Sequence, residues 1–206
     1  MAFSGWGAEA LAFYEGLEAD NSKAYWTAHK AVYQEKVLRP MEELIEQLAP
    51  GIGEPKIFRP YRDIRFSADK TPYKTHIGAL IGNTNYVQFS ADGLSAGAGR
   101  WHLEPGQLTQ YRAGVAGPDG AELAAIIAEL EKAGVEVHGH DTLKSVPRGY
   151  DADHPRIDLL RHKGLTTWVH WSPEPWLATA APLEKIRDFF GTSRELCDWL
   201  TSHVNA

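Results

Sequence analysis

The chain has 206 residues, of which 43% are hydrophobic, 23% charged and 11% aromatic, and a net charge of −6. That length and composition suit one folded domain spanning 1–206, with a sizeable core. The acidic total disfavours the broad basic surface that nonspecific nucleic-acid binding needs, so nucleic acid is the weakest partner class, though one local basic pocket stays compatible with it. No apolar run approaches the ~20 residues that cross a bilayer, so no membrane partner is expected. The first residues have neither the basic region nor the apolar stretch of a signal peptide. A single cysteine, Cys197, argues against a disulfide framework and a cysteine-based zinc site. The expectation is a cytoplasmic protein.

The first fifty residues read as helical. Leu11, Tyr14 and Leu17 recur near helical period, with Phe13 widening the stripe. Asp20, Asn21 and Ser22 supply capping chemistry for a second helix, where Trp26, Tyr33 and Val37 form one stripe. Pro40 suits the first turn of a third helix over 41–48. From Glu54 the texture changes. Short runs at 77–81, 86–89 and 94–98, bounded by Gly, Asn and Asp, predict antiparallel strands. Helical spacing returns over 104–115 and 121–132, and Gly134 ends the second. A strand is expected at 135–138, a loop at 145–155, a short helix at 157–162, a strand at 165–171, and helices at 182–190 and 193–204. The fold class is α+β, a single domain with a central antiparallel sheet packed by N-terminal and C-terminal helices.

One segment stands out chemically. Residues 56–76 hold Lys56, Arg59, Arg62, Arg65, Lys70 and Lys74 with His76, interleaved with aromatics, and only Asp63 and Asp69 oppose them. Concentrated cations repel one another, and a bound anion would relieve that repulsion. Taken as an extended strand, 59–66 puts Arg59, Tyr61, Asp63 and Arg65 on one face and Arg62, Ile64 and Phe66 on the other, although Pro60 marks an edge or an irregular loop. Arg59 and Arg65 would then converge on one anion with Asp63 orienting them, while Arg62 serves elsewhere. A planar guanidinium holds a carboxylate or phosphate through two parallel hydrogen bonds. The plain alternative is that these arginines pair with internal carboxylates and brace the sheet.

The run from Arg59 to His76 resembles the signature of a family catalogued as domain of unknown function 2461. Three further blocks match that family: Asn21, Trp26, His29, Lys30, Tyr33 and Pro40; Leu108 and Arg112; and Lys144, Pro147 to Tyr150, His154, Pro155, Leu159, Leu160 and Lys163. Together they cover nearly the whole chain. Asp20 stands where relatives commonly carry the first of two Asn. The resemblance implies a fold and a set of positions, and no activity comes with it.

Lys70 and Lys74 are candidates to extend the anion site, with a solvated pair as the plain reading. His76 is the best-placed acid or base, because an imidazole titrates near neutral pH; a lone hydrogen-bonded His is the alternative. If the 145–155 loop folds over the basic segment, Arg148, Tyr150 and His154 complete the pocket, and His154 becomes a second catalytic suspect. Asp151, Asp153 and His154 are ligand-type residues, but their spacing fits no zinc or calcium loop, so no metal site is expected and Asp153 reads as a turn or cap. The glycine-lysine-serine phosphate loop is missing, which removes the commonest nucleotide-hydrolase mechanism. The leading reading is a pocket for a small anionic ligand, phosphorylated or carboxylated. The alternatives are a non-catalytic structural or interaction module whose Arg-rich motif braces the core, and a nucleic-acid-binding protein. The sequence names no reaction, cofactor or oligomeric state.

Overall fold

Strand formation follows β-branched and aromatic runs at 76–81, 85–90 and 164–171, whereas 93–100 is a run of mostly small residues. In the computed structural model, which describes residues 2–65 and 67–204, β1 (Pro55–Ile57), β2 (His76–Ile81), β3 (Asn85–Ser90), β4 (Gly93–Arg100), β5 (Val137–His140) and β6 (Gly164–Trp171) form an antiparallel sheet. Its strand order is β1-β2-β3-β4-β6-β5. His76 faces Ser90 and Ile81 faces Asn85 across the β2–β3 pair. With its helices the fold is α+β, as the sequence predicts. β1 escaped the pattern because three residues carry no readable alternation. The fifth strand starts two residues later than expected. The chain divides into two compact units, Met1–Ala96 with His170–Asp188 and Gly97–Val169 with Phe189–Ala206. Among the described residues no helix is long and apolar enough to cross a membrane.

In the first unit, α1 (Ala8–Ala19) buries Ala10, Phe13, Tyr14 and Leu17, a stripe at helical spacing. The Ser22 side chain then caps α2 (Lys23–Val32) by accepting the Tyr25 N–H at 3.2 Å. The sequence suggests a break before Pro40, yet the backbone stays helical. It opens into a π turn over Tyr33–Leu38 and continues as α3 (Arg39–Leu48). Proline has no N–H and its ring crowds the carbonyl one turn back, and widening the preceding turn relieves that crowding. The Arg39 N–H accordingly reaches five residues back to the Gln34 carbonyl. Trp6 stacks on Phe89 at 4.7 Å and donates its indole N–H to the Val37 carbonyl at 3.2 Å.

In the second unit, α4 (Pro105–Ala116), α5 (Gly120–Lys132), α6 (Ile157–Arg161) and the helix Arg194–His203 enclose a core of Tyr111, Leu123, Leu160, Leu165 and Trp199. Gly134, at φ 77°, takes the left-handed conformation that ends α5. Gly99 admits the Leu165 carbonyl, which an added Cβ would meet at 2.3 Å, and the Trp168 ring lies over Gly97. α4 and α6 clasp each other reciprocally. Tyr111 Oη–H and Arg112 Nε–H each donate at 3.0 Å to the carbonyls of Leu159 and Leu160. Arg156, just before α6, donates in return to the carbonyls of Val115 at 2.7 Å and Gly117 at 2.9 Å. A guanidinium at a helix C-terminus satisfies orphan carbonyls and complements the helix dipole. Arg156→Ala is expected to lower stability by about 2 kcal/mol, with Arg156→Lys recovering only part, as read by denaturant unfolding.

Candidate functional site

The basic segment is positioned by two contacts that its own charges do not supply. The Asn21 side-chain amide donates to the Tyr73 carbonyl at 3.0 Å and accepts the Tyr73 N–H at 3.1 Å. It thereby takes the part of a neighbouring strand, with one acceptor and one donor at the spacing of a peptide group. The Tyr73 ring lies flat on Trp26, with centroids 4.4 Å apart and planes 8° from parallel, and Tyr61 leans against both. An isolated bridge pairs Tyr61 with Tyr73, closed by Arg62 N–H to the Pro72 carbonyl at 2.9 Å and Lys74 N–H to the Pro60 carbonyl at 2.8 Å. Residues 59–75 are thus a loop pinned at its neck.

That geometry redistributes the arginines. Strand alternation does not continue past Tyr61, so Arg59 and Arg65 are not gathered by a shared strand face. Arg65 turns onto Asp63, bonding Oδ1 through Nε at 2.9 Å and Oδ2 through Nη2 at 2.7 Å, with both residues exposed. This bidentate pair holds the Asp63 carboxyl below the usual carboxylate range. Lys70 donates to the Ile64 carbonyl at 2.9 Å and braces the loop. Arg59 is exposed. Phe66, expected beside Arg62 and Ile64, lies outside the described residues.

Arg62, expected to serve elsewhere, lines a cleft of about 450 Å³ together with Glu18, Asn21, Asp69, Lys74 and His76; Thr71, Tyr73 and Thr75 complete the wall. Arg62 bonds Asp69 and Thr71. The Arg62 guanidinium first, and the Thr71 N–H and hydroxyl next, lower the Asp69 carboxyl to about 2. Lys74 has no ion-pair partner among the described residues. Burial, and then the charge of Arg59, pull its ammonium below the ordinary lysine value. The Phe58 ring lies 5.3 Å from Nζ. His76, the first residue of β2, is half-buried, and its imidazole is lowered by burial and then by Lys74. Glu18 moves the other way, raised by burial and by Asp92 and Glu15.

The remaining candidates belong to the second unit. Arg148 is exposed. Tyr150 packs against that unit's core. His154 Nδ1 accepts the Arg156 N–H at 3.0 Å, so the ring serves the local turn, and Asp151 accepts the Asp153 N–H at 3.2 Å. Sequence reasoning missed Glu18, Thr71 and Thr75 as wall residues. Glu18 gives no signal of its own, because it is one carboxylate in the last turn of a helix 38 residues before the basic segment.

Two outcomes follow from this geometry. Asn21→Ala removes two hydrogen bonds and should cost about 2 kcal/mol, with faster proteolysis inside 59–75; Asn21→Asp, able to accept but not donate, should fall between. For His76 the folded state prefers the neutral ring. The unfolded chain therefore binds more protons as pH falls through the ordinary imidazole value near 6.5, and stability drops there towards the lower folded value. His76→Gln should flatten that part of the stability-pH curve relative to wild type, as read by urea unfolding at stepped pH.

No curated protein and no solved structure matches this chain. A family model described as a conserved hypothetical protein (DUF2461) matches residues 9–199, nearly the whole length, including the basic loop, its Asn21 anchor and the α4–α6 clasp. The chain belongs to the DUF2461 family.

Proposed function

We propose that the cleft beside the basic loop binds a small anionic ligand carrying a phosphate or carboxylate group. The observation that carries this reading is Lys74: a partly buried ammonium, repelled by Arg59, next to a half-buried imidazole, with no carboxylate paired to it among the described residues. An anion there would relieve the repulsion and accept hydrogen bonds from Lys74 and, once protonated, His76. The Thr75 hydroxyl and the Arg62 guanidinium line the same cleft, whereas the Thr71 hydroxyl is already donated to Asp69. A volume of about 450 Å³ is that of a small-molecule pocket and too small for a polymer groove. His76 is the residue in this cleft suited to proton transfer, and Glu18 is the carboxylate that could answer it. A cytoplasmic setting would supply such ligands as metabolites.

The bracing alternative has its own support in the Asp63–Arg65 and Arg62–Asp69 pairs, which tie two of the arginines to carboxylates of the same loop. The two readings divide by residue, with Arg65 bracing and Lys74 binding. A thermal-shift screen of phosphorylated and carboxylated metabolites should give a hit whose affinity falls about tenfold or more in Lys74→Ala and changes little in Arg65→Ala. The same hit should bind more tightly as pH falls and His76 protonates. An equal loss in both variants, or no hit with Arg65→Ala melting early, would assign the motif to bracing.

A further inference from the structure

Three guanidinium N–H groups of the second unit are buried and have no hydrogen-bond partner among the described residues: Arg100 Nε, Arg112 Nη2 and Arg161 Nε. Buried donors are nearly always paired, and charged donors are the most costly to leave unpaired. The three approach one short stretch of chain. Arg112 reaches the end of α6, where its Nε–H holds the Leu160 carbonyl at 3.0 Å, and Arg161 is the next residue. Arg100 arrives from β4, whose backbone is pressed against Gly164; an added Cβ there would stand 2.7 Å from the Arg100 carbonyl oxygen. The neighbouring Trp101 ring packs on His140 at 3.8 Å. Arg100 is the last residue of β4, two positions on from buried Ala98. Among the described residues, Arg161 is the one of the three paired with a carboxylate, Asp158 at 3.1 Å. Lys163 adds a further positive charge to the same stretch.

We propose that Arg100, Arg112 and Arg161 form a second oxyanion site, taking the carboxylate or phosphate group of a ligand that supplies the missing acceptors. Arginine forks present paired donors at the spacing of two oxyanion oxygens, which a water cannot match in charge. This site is independent of the Lys74 cleft. The test therefore uses Lys74→Ala, in which the cleft is disabled, and titrates inorganic phosphate and, separately, citrate against chloride at matched ionic strength, following the melting temperature. The expected result is a rise beyond chloride for at least one of the two, naming phosphate or carboxylate as the preferred group. The double variant Lys74→Ala/Arg161→Gln should weaken the apparent affinity about tenfold or more. The Arg161 side chain is 31% exposed, so this variant keeps the test open if Arg112→Gln fails to fold. No rise beyond chloride in Lys74→Ala, or a rise unchanged in the double variant, overturns the proposal.

Discussion

A side chain can stand in for a β-strand only if it offers an acceptor and a donor side by side, and Asn21 does so for Tyr73. The cationic loop depends on that substitution. Six positive charges within 56–76 would drive an untethered segment apart, and the loop's own carboxylates balance only part of them. The amide clamp and the Trp26–Tyr73 stack fix the neck of the loop against α2. Burial first, and then that repulsion held in place, lowers the Lys74 ammonium and the His76 imidazole from their ordinary values.

The loop also sorts its charges by exposure. Asp63 and Arg65 meet at the exposed tip, where a pair contributes little to stability and is screened by salt. Arg62 and Asp69 meet at the cleft wall, where the pair also shapes a surface. Lys74, nearer the neck, has no ion-pair partner among the described residues. Structural pairing and available charge thus coexist in one motif, divided by depth. A single assignment for all four of Arg59, Arg62, Arg65 and Lys74 would misdescribe it.

Much of the fold was legible because its periodicities are long or cleanly bounded. The strands at 76–81, 85–90 and 93–100, the helices after Glu104 and the terminal helices all lie where apolar spacing and turn residues put them. The errors have local causes. Pro40 suggested a boundary, and the helix absorbed it by widening its preceding turn. The alternation argument for 59–66 assumed a ladder, but the ladder is one bridge long, so Arg62 and Arg65 exchanged their expected surroundings. Charge excess singles out the segment and cannot tell which cation pairs with which carboxylate, because that depends on how a loop without regular structure turns. By sequence Asn21 reads as capping chemistry. Its neighbour Ser22 does the capping, and Asn21 reaches a partner 52 residues away that no local pattern reveals.

The Arg156 clasp has a consequence for the order in which this chain assembles. The carbonyls that end α4 wait for a donor 41 residues downstream of Val115. As the chain is synthesised, α4 emerges well before Arg156, and its last turn has only water to satisfy it. α6, with five residues, is too short to persist without a partner. Closing the intervening loop costs entropy that grows only slowly with its length, so the two elements can complete each other in one late step. Amide protection of the last turn of α4 and of α6 should then arise together, as one cooperative unit of folding.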